Sequence, residues 1–385
     1  MMFGGYGRGR EGLPRVLHIA VARYRRALPR RGEPLEFLVT IHEEGTGLSW
    51  QRNVAVDAAA ERDFLATTEE LYRWSLNRAL TPTAAGERVR RLGRRLYDTF
   101  IGAAGERYLR AFTPTAVLLD VDETILNLPW ELMATAGGPI AQHTPFGRLV
   151  TTRALPRPGR DPLQEDTTVR ILVVANPTGD LAASEAEVAT LRALAGRRGP
   201  FEVAVDLLAR EEATRAGVAA RLAGGAYDIL HFAGHAALDQ ARPGRSALRL
   251  AEGPLTADDV LALPWPAPPY LVFNSSGESG RAAGGRRLVH AGGAAGANGL
   301  AAAFLAAGVE GYAGYFWPVT EAGASTFTGA FYDALFGLEN VGLAFLRARN
   351  RAIADLGALG DLTGYSAVLF GDAASAHRRD LATAV

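Results

Sequence analysis

Short apolar runs separated by mixed stretches set the rhythm of the second half of the chain. Arg170-Ile-Leu-Val-Val-Ala175, Phe201-Glu-Val-Ala-Val205, Tyr227-Asp-Ile-Leu-His-Phe232, Tyr270-Leu-Val-Phe273 and Val309-Glu-Gly-Tyr-Ala-Gly-Tyr315 have the length and content of buried strands. The segments between them, near 181–194, 210–222, 256–261 and 299–307, read as helices. Strands alternating with helices predict a parallel sheet covered on both faces, an α/β sandwich. In such sheets function gathers beyond the carboxyl ends of the strands.

The first half reads differently. Arg15-Val-Leu-His-Ile-Ala-Val21, Leu35-Glu-Phe-Leu-Val-Thr-Ile41 and Leu48-Ser-Trp-Gln-Arg-Asn-Val-Ala-Val56 alternate partly between apolar and polar positions, the mark of short half-buried strands. They predict a small β-rich module over residues 1–65, ahead of a main domain over 66–385. Helices are expected over 66–78 and 85–103. The second carries Val89, Leu92, Leu96, Phe100 and Ile101 on one face and arginines on the other. Ala116-Val-Leu-Leu-Asp-Val121 is the first buried-type strand, and Pro156-Arg-Pro-Gly-Arg-Asp-Pro162 is a connector.

Composition narrows the chemistry. The 385 residues are 48% hydrophobic, enough for one large core plus a smaller unit. Forty-one basic residues, all of them Arg, balance 41 acidic ones, so bulk charge attracts neither nucleic acid nor an anionic membrane. There is no cysteine, which excludes disulfides and thiolate metal sites. Of the seven histidines only His231 and His235 lie close in sequence, with no further ligand beside them, so no metal or other cofactor is expected. The start lacks the apolar core of a signal peptide, and no apolar run reaches roughly 18 residues. A cytoplasmic location without membrane contact is the expectation.

Two segments just past strand ends carry the candidate chemistry. One ends in Phe232-Ala-Gly-His235; the other is the turn Asn274-Ser-Ser-Gly-Glu-Ser-Gly280. They converge if their strands are neighbours. His235 is then a general base, and the Gly234 amide can line an oxyanion hole. Ser276 offers a hydroxyl, but a Ser/His pair is a poor nucleophile without a third group orienting the base. Period-2 alternation puts His231 on the same face as Ile229, towards packed neighbours. Gly284-Gly285 and Gly292-Gly-Ala-Ala-Gly296 lack the strand-before, helix-after context of a phosphate loop. With Arg281, Arg286 and Arg287 they read as a basic loop bordering the site.

In their order along the chain these segments resemble the CHAT domain, a caspase-like peptidase domain related to caspases and separases. The likeness runs from about Leu92 to the C-terminus. Leu126-Asn-Leu-Pro-Trp-Glu-Leu132 is similar to the family's early Pro-Trp-Glu segment, and Asp180 to Glu187 to the start of its next helix. Ile229-Leu-His-Phe-Ala-Gly-His-Ala236 resembles the strand of the catalytic His. Ala247-Leu-Arg-Leu250 and Gly253-Pro-Leu-Thr-Ala-Asp-Asp-Val260 resemble the hairpin and helix between the two halves of the site. Asn298 to Gly308, Phe316-Trp-Pro-Val-Thr-Glu321, Phe331-Tyr332 and Ser366-Ala-Val-Leu-Phe-Gly-Asp372 complete the series. The resemblance implies a three-layer sandwich with a mainly parallel sheet. It also implies a protein or peptide substrate, a regulatory protein partner and a role in signalling or defence. Glu278, Ser279, Trp317 and Glu321 would border the substrate.

The nucleophile departs from the pattern. The family turn reads Ser-Ala-Cys-Glu-Thr-Gly, and a gapless match to Ser275-Ser-Gly-Glu-Ser-Gly280 puts Gly277 in the cysteine's place. A match with one insertion puts Ser276 there. Either way the thiolate that would attack the peptide carbonyl is missing. The change is a natural loss, leaving a pseudoprotease or a non-catalytic peptide-binding scaffold, or a deliberate inactivating substitution. A third reading starts at Val117-Leu-Leu-Asp-Val-Asp-Glu-Thr-Ile125, whose Asp-x-Asp-x-Thr looks like the first motif of Mg-dependent haloacid-dehalogenase-type phosphatases. Asp120 would be the nucleophile, Asp122 the acid/base and Asp258-Asp259 a late acidic pair.

Overall fold

A computed structural model describes residues 15–24, 33–77, 81–110, 113–122, 125–151, 156–159, 168–196, 202–225, 227–281, 299–337 and 340–375. The first three strands, β1 (Val16–Arg23), β2 (Leu35–Glu43) and β3 (Ser49–Val56), form an antiparallel meander. Three helices follow: α1 (Ala58–Asn77), α2 (Pro82–Phe100) and α3 (Gly102–Arg110). Next come β4 (Ala116–Asp122), a two-residue hairpin of β5 (Ala134–Thr135) and β6 (Gly138–Pro139), and β7 (Phe146–Thr151).

From there strands and helices alternate: β8 (Thr168–Ala175), α4 (Ser184–Leu194), β9 (Glu202–Ala209), α5 (Arg215–Ala223) and β10 (Ile229–Ala233). The short strands β11 (Ala236–Ala237), β12 (Ala247–Leu250) and β13 (Gly253–Thr256) make a separate small sheet. The chain continues through α6 (Ala257–Ala262), β14 (Leu271–Asn274), α7 (Leu300–Ala306) and β15 (Gly311–Tyr315). It closes with α8 (Glu321–Leu335), α9 (Val341–Leu356), α10 (Thr363–Ser366) and β16 (Ala367–Phe370).

Eleven strands join in one sheet of order β3-β2-β1-β4-β7-β16-β15-β14-β10-β8-β9. The pairings from β15 to β9 are parallel, and so are those from β1 to β16; the antiparallel seam lies between β15 and β16. Strand residues divide between two cores, as the pleat requires. Leu172, Val174, Leu230, Phe232 and Val272 face one, under α1, α2, α5, α6 and α7. Ile171, Val173, Ile229, Leu271 and Phe273 face the other, under α4, α8 and α9. The result is the expected three-layer α/β sandwich.

Two features differ from the sequence reading. The N-terminal meander continues the main sheet, because β1 pairs in parallel with β4 from Val16↔Ala116 to Val21↔Val121. The boundary expected at residue 65 therefore falls inside α1. Strand β7, fifth of the eleven in the sheet order, has no counterpart in the sequence reading. Its run is interrupted by Gly147 and Arg148, and a Cβ at Gly147 would collide with the Gly371 carbonyl and Ala373. Helix starts follow the local signals: Thr81 caps α2 ahead of Pro82, and Thr256 and Asp259 form a capping box on α6.

The meander carries a pH-sensitive pair. His18 and His42 face each other across β1 and β2, with ring centroids 4.7 Å apart and nearly parallel. Burial, and then the neighbouring His18, lowers the pKa of His42 below the ordinary histidine value. The unfolded chain thus takes up this proton at a higher pH than the folded one, so stability is intact above about pH 6.5 and falls as the pH drops below it. The expected result is a fall in melting temperature between pH 7.5 and 5.5 that is smaller in His42→Gln. Equal falls in the two proteins would rule out this pair as the source.

Candidate active site

Strands β10 and β14 are parallel neighbours, registered from Ile229↔Leu271 to Phe232↔Asn274. The chain leaves both at the same edge of the sheet, and the Ser275 amide still donates to the Phe232 carbonyl at 2.8 Å. This register brings His235 and residues 275–278 of the turn to one cleft, of about 290 Å³. Gly234, His235, Ser276, Gly277, Glu278 and Glu321 all line it.

His235 is partly exposed, and its Nε2 lies 3.0 Å from Asp180 Oδ1. Asp180 follows β8, the strand beside β10, in a loop tied down twice. The Asn176 amide donates to the Ala233 carbonyl at 2.8 Å, and Asn176 Oδ1 accepts from the Leu181 amide at 2.9 Å. The Thr178 hydroxyl, and then His235, hold the Asp180 carboxylate below the usual range. A carboxylate on Nε2 assigns the ring proton there and leaves the Nδ1 lone pair as the basic atom. Gly234 has no room for a side chain: a Cβ would sit 2.7 Å from the Phe232 ring and 3.0 Å from Pro177.

The turn is braced from beneath. Ser276 N donates to Asn274 Oδ1 at 3.1 Å, Glu278 N to the Trp317 carbonyl at 3.3 Å, and Gly280 N to the Tyr315 carbonyl at 2.9 Å. Tyr312 takes a bond from Asn274 Nδ2 and donates to the Ser279 carbonyl, both at 2.9 Å. Glu278 sits at φ +61°, the left-handed region that non-glycine residues seldom adopt. Its carboxylate accepts from Tyr72 of α1 and from Arg281, each at 3.3 Å, and the Arg281 guanidinium stacks 4.7 Å from the Tyr72 ring. Strain at this corner is thus held by a helix that follows the N-terminal meander.

Gly277 is closed off. A Cβ built there meets Pro318 Cα at 2.9 Å and the Val319 amide at 3.3 Å, both backbone atoms. Ser276 Oγ is buried and has no hydrogen-bond partner among the described residues, so no bond joins it to His235.

Two expected border residues do not reach the cleft. Ser279 is buried, donating to the Asn274 carbonyl at 2.9 Å and accepting from the Tyr315 amide at 3.1 Å. Trp317 packs its ring edge-on against Phe316 inside the core and contributes only backbone, its amide donating to Ser366 Oγ at 2.8 Å. Arg281 is tied to Glu278, while Arg286, Arg287 and both glycine clusters lie outside the described residues. His231 is fully buried on the Ile229 face, stacked on Phe273.

Sequence reasoning missed two carboxylates. Asp180 could have been found by the strand-end rule, five residues past Ala175 and at the same sheet edge as His235. Glu187 read as part of a helix start; it is buried, lines the cleft, and pairs with His231 Nε2 at 3.2 Å.

The aspartate motif lies elsewhere. Strand β4 runs opposite to β10 across the antiparallel seam, which puts Asp120 and Asp122 at the other edge of the sheet. Asp120 accepts from Thr151 at 2.6 Å, and Asp259 is held by Thr256 and Arg215. Among the described residues no three His, Asp or Glu side chains cluster as metal ligands, and no helix is long and apolar enough to cross a membrane.

A sequence model of the CHAT domain matches residues 90–358. No curated protein matches the chain in sequence. In structure the chain is similar to one in the separase–securin complex of Saccharomyces cerevisiae, with a TM-score of 0.59 at 10% identity over 93% of this chain. A second structure of that complex gives a TM-score of 0.54 at 11% identity over 92% of this chain. A structure described as a protease gives 0.51 at 10% identity, over 75% of this chain and 69% of its own. At these identities the likeness is one of fold, the caspase-like sandwich. The present chain spans 30% of the length of the chain it matches in the separase complex.

Proposed function

The chain belongs to the CHAT domain family, and from that premise we propose that it holds a peptide segment of a protein partner in the cleft beside His235 without cleaving it. The observation that carries this reading is at Gly277. The chain has no thiol anywhere, and the place a thiol-bearing side chain would take lies against the backbone of Pro318. What supports descent from a peptidase is that His235, bonded through Nε2 to Asp180, lines one cleft with Gly234 and Gly277, a set suited to the roles of base, orienting carboxylate and acyl-oxygen donors. Ser276 supplies no substitute, because an unactivated hydroxyl at neutral pH is a weak nucleophile. The tight fit of Pro318 over Gly277 supports a natural loss to which the neighbouring segment has adapted. A signalling or defence role in the cytoplasm, with the β1–β3 meander as a surface for a regulatory partner, is the setting we infer for such a module.

Peptide capture tests the reading. A pool of random peptides incubated with the protein is expected to be retained and recovered intact by mass spectrometry, and Ala183→Trp, which fills the cleft, is expected to abolish retention. Cleavage products from the unaltered chain would sink it.

A further inference from the structure

Part of the cleft wall comes from outside the stretch that the CHAT domain model matches. That stretch begins at residue 90, whereas Leu76 lies in the last turn of α1 and lines the cleft. Leu76 is 57% exposed, although Phe64, Leu71 and Trp74 of the same helix are buried in the core. One exposed leucine carries no meaning alone; a leucine that completes an apolar wall does. Leu181, Ala183, Pro318, Val319 and Ala324 line the same cleft.

The end of α1 is anchored. Tyr72 and Leu76 are four residues apart and share a face of the helix. The Tyr72 hydroxyl donates to Glu278 at 3.3 Å, and the Arg281 guanidinium lies 4.7 Å over its ring. Trp74 Nε1 donates to the Gly360 carbonyl at 2.8 Å. The helix face that braces the 275–280 turn therefore also presents Leu76. The Glu278 amide bonds to the Trp317 carbonyl, from which the chain runs directly into Pro318 and Val319. Two polar residues around this wall are spent within the protein: the Glu278 carboxylate on Tyr72 and Arg281, and the Thr320 hydroxyl on Asp361 and the Gly323 amide.

Resting on the peptide-holding reading, we propose that Leu76, with Pro318 and Val319, forms an apolar subsite that takes one leucine-sized aliphatic side chain of the bound segment. A cleft of about 290 Å³ is near the lower limit for a ligand pocket and must also admit the segment's backbone beside His235, which favours an aliphatic side chain over an aromatic ring. Seating it takes apolar surface of both partners out of water, and little ordering cost falls on the protein because α1 is already held. The subsite is a property of this chain's N-terminal helix and not of the residues the family model covers.

Three pools of nonapeptides test this. Each draws its outer positions from glycine, alanine and polar residues and carries leucine, phenylalanine or asparagine at the centre. Asparagine keeps nearly the size of leucine and replaces its branched end by an amide. The leucine pool is expected to bind at least about tenfold more tightly than the asparagine pool, the scale of taking one leucine side chain out of water, with phenylalanine between. Leu76→Ala is expected to bring the two pools within about threefold of each other, and Leu76→Met, which restores apolar contact at nearly the same volume, to keep the preference. Leu76 is exposed, so neither substitution opens the core. Equal binding of the leucine and asparagine pools, or of neither while a fully random pool is still retained, would overturn the subsite and leave peptide holding intact; retention of no pool at all would overturn both. A preference for phenylalanine over leucine would overturn the aliphatic assignment, and a leucine preference untouched by Leu76→Ala would overturn the role of Leu76. A concentration-dependent dimer that Leu76→Ala abolishes would put a second copy of the chain in that place and overturn the assignment as well.

Discussion

Replacing Glu131 by alanine is expected to lower the unfolding free energy by about 3–5 kcal/mol, the scale of breaking a buried ion pair from one side. Glu131 belongs to the Pro129-Trp-Glu131 segment, a short turn buried beneath the sheet edge. Its carboxylate meets Arg148 of β7 in a bidentate pair, Oε1 accepting from Nε at 2.7 Å and Oε2 from Nη2. The guanidinium also donates to the carbonyls of Leu126 and Leu128, at 3.1 and 3.0 Å, so every arm is satisfied with no exposure to water. A second buried cation shares the same field. Arg349 donates to the carbonyls of Gly364 and Ala367, both at 2.8 Å; burial brings its pKa down to about 10, with Glu131 raising it and Arg148 lowering it. Alanine at 131 therefore strands two guanidiniums in the core. Denaturant titration should show the loss directly, and pairing Glu131→Leu with Arg148→Met should recover much of it, because an apolar pair carries no desolvation cost. A loss below about 1 kcal/mol in Glu131→Ala would show that the core does not depend on this pair.

That pair also explains which parts of the fold were legible in the sequence. Strands β8, β10, β14 and β15 announce themselves because both faces are buried and the runs are almost purely apolar. Strand β7 does not, since its central arginine is tolerable only with Glu131, 17 positions upstream, folded against it. The N-terminal strands could be read as strands, yet alternation reports a half-buried face and says nothing about the partner. The pairing of β1 with β4 joins residues 100 positions apart. At the site, His235 and the glycine turn were visible through motif and strand-end position. Glu187 was hidden because a carboxylate near a helix start ordinarily reads as a solvated residue at the positive end of the dipole. The inward course of Ser279 and Trp317 depends on bonds to Tyr315 and Ser366, which no local pattern encodes.

Gly277→Cys is expected to turn a binding module into a slow peptidase and to weaken the fold in doing so. The new Cβ must displace the Pro318 backbone by a few tenths of an ångström, an overpacking that costs about 1–3 kcal/mol. Once in place, the thiol shares the cleft with His235, whose Nδ1 lone pair is free to take the proton because Asp180 occupies Nε2. A thiolate beside an imidazolium titrates below the ordinary value of about 8.5. Alkylation by iodoacetamide should therefore be faster at pH 6.5 than for a free thiol, and His235→Ala in the same background should remove that advantage. Cleavage of an unfolded protein substrate should appear in Gly277→Cys, vanish when His235→Ala is added, and rise when Pro318→Gly lets the crowding backbone move. The unaltered chain should show none of it. Equal cleavage by both would move the nucleophile to Ser276; an alkylation profile indifferent to His235 would mean that base and turn share a cleft without sharing a proton, and the inherited dyad would be geometry alone.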